Sequence, residues 1–195
     1  MESKQPIEKQ WIEQVILTPW EMALGATVGV QRFYYALRKR LPQRDGRPQE
    51  ELTRKIRGVE RFSDDIRGAL GELVVAKYFN TYWSGTVGET NRPDLVVNAH
   101  EIEVRTGKNP GMGLWVKDRD PDARICVLVT GDGPLFEIRG GILAVDGKTW
   151  ERAGRTDPFT GKENHLVDQS ALIPIVRWRA YVYGLAELPI YRGTP

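Results

Sequence analysis

The stretch Arg92–Gly107, RPDLVVNAHEIEVRTG, governs how this chain is read. Asp94-Leu95-Val96-Val97 and Glu101-Ile102-Glu103-Val104-Arg105 are short runs rich in branched apolar residues, with Asn98-Ala99-His100 between them. Branched side chains pack well on a pleated surface and Asn tolerates tight turns, so the pattern predicts a β-hairpin. Strand alternation then puts Glu103 and Arg105 on one face and Val104 on the other. Asp94 follows Pro93 at the mouth of the first strand. From neighbouring strands, Asp94 and Glu103 can converge on one divalent cation. Carboxylates, a main-chain carbonyl and water are the donors that Mg²⁺ prefers. A cation beside Arg105 can activate water and stabilise a pentacoordinate phosphorus. Each piece also has a plainer reading. Pro-Asp is a common turn dipeptide, and Glu-x-Arg suits a solvated strand face with a cross-strand ion pair.

Upstream, a helix is expected from about Ser63 to Asn80. Ser63 suits an N-cap, and Asp64 and Asp65 sit where the helix dipole favours anions. Ile66, Leu70, Leu73, Val74 and Tyr78 mark its apolar face. Gly68 and Gly71 each cost roughly 1 kcal/mol relative to Ala in a helix. Close packing against another backbone is a reason to keep them, and it would set Glu72 beside a sheet. Earlier still, Trp11, Ile12, Val15, Ile16 and Leu17 recur at roughly helical spacing within residues 8–24, until Thr18-Pro19 breaks the run. Thr18, Pro19 and Glu21 form a capping-box pattern for a second helix ending before Pro42. Residues 41–48 (LPQRDGRP) read as a loop. Downstream, residues 124–130 (RICVLVT) form the strongest apolar strand, and residues 135–139 and 141–145 two shorter ones. Residues 148–164 read as loop, and Asp168 or Ser170 opens a last element.

At this point the sequence resembles the PD-(D/E)XK nuclease superfamily, on Gly71-Glu72, Pro93-Asp94 and Glu103-Val104-Arg105. The runs GALGELVVAKYF, RPDLVV, IEVRTG, WVKDRDPDARICVLVTG and FEIRGGILAVDG look like small nuclease-like proteins common among phages and prophages. The likeness spans roughly residues 66–145. It implies an α/β (α+β) fold with a restriction-endonuclease-like core, a mixed central sheet flanked by helices. Residues 1–60 would be an N-terminal helical extension, and 61–195 the nuclease-like domain. The resemblance further implies Mg²⁺ or Mn²⁺ held by Glu72, Asp94, Glu103 and the Val104 carbonyl, with DNA as substrate and RNA also open. Arg105 stands where the family has Lys. Arg keeps the charge but cannot lose a proton, so cleavage could slow, pass that role to Lys108, or give way to a binding-only descendant. Enzymes of this fold often pair to cut two strands, which makes a homodimer a further expectation.

Composition bounds these readings. Of 195 residues, 41% are hydrophobic and 28% charged, enough apolar material for a core and too much for a disordered chain. No apolar run reaches the ~18–20 residues needed to cross a bilayer, and the first residues lack a secretory h-region, so the cytosol (the host's, if phage-encoded) is expected. Cys126 is the single cysteine, which excludes a disulfide framework and a cysteine zinc site. Net charge is +2, but residues 32–61 hold ten basic residues against four acids. Arg38, Lys39, Arg40 and Arg57 in this stretch suit a phosphate backbone, or simply a solvated helical face. Gly107–Gly113 lacks P-loop spacing and reads as a flexible loop that lets Lys108 and Lys117 reach phosphate. Trp83 and Trp115 can stack on bases or pack internally. His100 and His165 have no partner at metal-ligand spacing, which favours surface or structural roles.

Overall fold

The hairpin forms in the computed structural model, which describes residues 11–40, 58–88, 92–150, 152–156 and 163–190. Strand β2 (Leu95–Val97) pairs antiparallel with β3 (His100–Gly107), Leu95 opposite Ile102 and Val97 opposite His100. The connection is a two-residue turn in which Asn98 (φ 46°) and Ala99 (φ 69°) both take left-handed conformations. A tight turn of that hand matches the twist of the flanking strands. His100 belongs to the strand, one residue earlier than expected.

β3 runs parallel to β5 (Ile125–Gly131), which pairs antiparallel with β6 (Leu135–Leu143). The sheet closes at its far edge with β1 (Glu13–Ile16), giving the order β1-β6-β5-β3-β2. β1 corrects the helical reading of residues 8–24. Val15 and Leu17 face inward while Ile16 is exposed, a period-two pattern that exposed Trp11 and Ile12 disguise as helical spacing. β6 likewise replaces two expected strands with one. A register shift opposite Leu128/Val129 and positive φ at Gly140 absorb the irregularity, and residues 144–147 turn into a short helix, α3.

Helix α1 (Pro19–Arg40) starts as predicted, with a capping box. The Thr18 N–H donates to Glu21 Oε2 at 2.6 Å, and the Glu21 N–H to Thr18 Oγ1 at 3.3 Å. Helix α2 (Gly58–Tyr78) begins five residues before Ser63, which lies inside the helix and not at its cap. The two helices pack closely because glycines clear the way. A Cβ on Gly29 would sit 2.3 Å from the Ile66 Cα, and one on Gly71 would sit 1.8 Å from Thr106 Oγ1 of β3. Gly71 therefore does what its expected role requires and sets α2 against the sheet. A Cβ on Gly68 would meet nothing within 4 Å.

Residues 148–164 are not all loop. β7 (Arg152–Thr156) and β8 (Glu163–Val167) form an antiparallel pair, and β8 joins β4 (Leu114–Lys117) in a second sheet ordered β4-β8-β7. Asp168 Oδ1 then accepts the Ser170 N–H at 2.8 Å to open a 3₁₀ turn, followed by helix α4 (Ile175–Val182).

The two faces of the large sheet bury different partners. Ile102, Val104, Val127 and Val129 pack with Leu70, Leu73 and Val74 of α2 and with Trp178 of α4. Cys126, Leu128 and Ile142 pack with Leu114, Val116 and Val167 of the small sheet. The result is the expected mixed α+β class, with the long helices on one face of the large sheet and the small sheet on the other.

Candidate functional site

Three acidic positions gather at the β2 edge. Asp94 immediately precedes β2, and Glu103 lies on β3, the strand that pairs with β2. Asp94 Oδ2 accepts the Val104 N–H at 2.7 Å, which fixes its carboxylate against β3. Burial, then the charges of Glu72 and Glu103, push the Asp94 carboxyl well above the usual range. Asp94 thus feels the charge of both other acids, and among the described residues no cationic side chain bonds to it.

Glu72 is buried and clamped. Arg32 of α1 donates to both its oxygens, at 2.5 and 2.7 Å, and Trp83 Nε1 donates to Oε2 at 3.1 Å. Arg32 Nε also donates to the Thr86 carbonyl at 2.9 Å, tying the loop after α2 to α1. Burial works against the Arg32 charge, but the Glu72 bonds and field outweigh it and raise its pKa.

Glu103 is held from two sides. Arg105 Nη1 donates to Oε1, and Arg124 Nη1 donates to Oε2 at 3.1 Å. Arg105 Nη2 also grips both oxygens of buried Asp120, at 3.0 and 3.1 Å. Arg124 reaches Glu101 Oε2 through Nε and Nη2. Burial opposes the Arg105 charge, but Glu103 and Asp120 raise its pKa and keep it charged. Burial chiefly pushes the Cys126 thiol up to about 12, and Cys126 packs with Leu128 and Ile142.

The expected phosphate contacts separate. Lys117 is half-buried, and burial, then the Arg105 and Arg119 charges, lower its pKa. Lys108 is 72% exposed and pairs with Asp132 at 3.2 Å, an acid also bonded by Arg67, so here it takes no part in the acidic group. Arg38 is exposed on α1. The side chains of Lys39 and Arg40, and the whole of Arg57 and of residues 41–48, lie outside the described residues. Trp83 bonds Glu72, and His165 is buried between the Asp118 carboxylate and the Trp150 carbonyl, a structural histidine.

Local spacing does not reveal Arg32, Asp120 or Arg124. Each comes from a different segment and meets the site only through packing. The one sequence sign for Asp120 is the turn-forming Asp120-Pro121-Asp122 run.

Among the described residues no group of three or more His, Cys, Asp or Glu is arranged to hold a metal ion, and no helix is long and apolar enough to cross a membrane. Comparison with protein-family models, with curated proteins and with solved structures returns no match.

Proposed function

We propose that this chain is a metal-dependent nuclease hydrolysing phosphodiester bonds in DNA, built on a restriction-endonuclease-like core. The carrying observation is the Asp94 carboxylate fixed on the Val104 N–H of β3, with burial and then the Glu72 and Glu103 charges raising its pKa. A mixed sheet with Asp94 just before β2 and Glu103 on the adjoining β3 supports the core.

The fit to Mg²⁺ or Mn²⁺ is one of donor chemistry. Asp94, Glu103 and the Val104 carbonyl are hard oxygen donors, and Asp94 is a buried acid short of positive charge. Bound there, the cation would supply water activation and charge stabilisation at phosphorus. The chain's own residues prepare the place. Asp94 is aimed by the Val104 N–H, Arg105 and Arg124 fix the Glu103 carboxylate, and Arg32 holds Glu72 until a stronger charge competes for it.

A second reading has an observation of its own: a catalytically inactive module that binds DNA or a host protein. Arg32 occupies Glu72, and Arg105 is spent on Glu103 and Asp120.

Incubating labelled DNA with Mg²⁺ or Mn²⁺ separates the two. The nuclease reading predicts cation-dependent cleavage that falls at least about 100-fold in Asp94→Asn and Glu103→Gln, both still folded. Variants that cut as well as the wild type would remove that reading. A wild type that binds DNA without cutting it would favour the module.

A further inference from the structure

The turn that joins β4 to β5 spends its acids and keeps its cations. Lys117-Asp118-Arg119-Asp120-Pro121-Asp122 carries three acids and two bases. Asp118 bonds His165 Nε2 at 2.9 Å. Asp120 accepts from Arg105 and from the Lys117 N–H at 2.9 Å, while its own N–H returns to the Lys117 carbonyl at 2.9 Å. Asp122 pairs with Lys148 at 2.8 Å, and Lys148 also donates to the Asp120 carbonyl at 2.6 Å. Every carboxylate of the turn is turned to structural use, and the backbone is tied at both ends. The side chains of Lys117 and Arg119 form no hydrogen bond or ion pair with any described residue.

We infer that Lys117 and Arg119 are the phosphate-binding pair of this site, and that Arg105 is a fixed strut and not the phosphate contact. The inference rests on the nuclease-site reading and names which cations meet the substrate. Arg105 has both terminal nitrogens committed, whereas Lys117 gives only its main-chain N–H to the Asp120 carboxylate that grips Arg105 and keeps its ammonium unbonded among the described residues. Two unpaired cations on a tied turn attract an anion, and a phosphodiester brings that negative charge. Reduced basicity of Lys117, from burial and its cationic neighbours, agrees with an ammonium waiting for an anion. No base-specific contact is involved, so the pair would read the backbone of any sequence.

The test is fluorescence anisotropy of a labelled DNA oligonucleotide over a salt series, with Ca²⁺ supplying the cation. Wild type is compared with Lys117→Arg and with the double variant Lys117→Met/Arg119→Met. The double variant should bind several-fold more weakly, and the salt dependence of its log affinity should flatten by about two counterions. Lys117→Arg should keep the wild-type slope, and all three proteins should share one melting profile by circular dichroism. Equal affinity and slope in the double variant would overturn this inference and leave the metal site standing. A loss in Lys117→Arg equal to that of the double variant would also overturn it, since it would mark packing and not charge. A wild type that binds no DNA at all would overturn both readings together.

Discussion

Asp94 is the residue whose surroundings ask most insistently for a cation. Burial and the Glu72 and Glu103 charges raise its pKa in the folded protein, and its bonded partner is the neutral Val104 N–H. A carboxyl raised by folding adds stability below its unfolded pKa, and that stability is lost as pH rises through the folded pKa. Without divalent cation, Asp94→Asn should therefore melt above the wild type at about pH 7.5, the gap closing towards about pH 4. Adding Mn²⁺ should reverse the order by stabilising only the wild type. Thermal melts with and without chelator check this, and equal melting at neutral pH would contradict it. At this scale Asp94, Glu103 and Arg105 were legible because a hairpin places them by local rules alone. Arg32 and Asp120 were not, because nothing in the spacing of the chain announces which distant charge will neutralise Glu72 or Arg105.

The elements were legible where their ends carry local chemistry. Thr18, Pro19 and Glu21 announce α1, and the capping bonds form. The start of α2 was misplaced because Ser63 has the composition of a cap without its position. β1 was misread because an edge strand exposes apolar residues on its outer side, which blurs the two-residue period. β7 and β8 were missed because a short hairpin with a register shift, lying on other strands, needs little propensity of its own. Two substitutions test the packing. Gly29→Ala forces a methyl into the Ile66 backbone and should cost roughly 1–3 kcal/mol or more in a denaturant melt. Ala99→Gly relieves a side chain from a left-handed conformation and should stabilise by about 1 kcal/mol. Destabilisation by Ala99→Gly would show that the turn geometry is otherwise.

Across the whole molecule, the fold explains why the charged cluster lies where it does. α2 and β3 come together through Gly71, the second sheet packs on the far face, and on β3 Glu103 and Arg105 join Asp120 for charge balance. Paired buried charges of this kind contribute little net stability, whereas removing one partner strands the other and costs about 3–5 kcal/mol. The stretch before residue 61 supplies β1 to the sheet and α1 to the helical layer, and one of its basic residues, Arg32, is turned inward to Glu72. The basic excess read from sequence is thus partly structural. Of the others, Arg38 is exposed on α1.

The most direct measurement is anomalous diffraction from a crystal soaked in Mn²⁺. A peak bonded to the Asp94 and Glu103 carboxylates, with Glu72 drawn from Arg32 towards it, is the predicted result. A soaked crystal with no manganese there and every arginine–glutamate pair intact would contradict it.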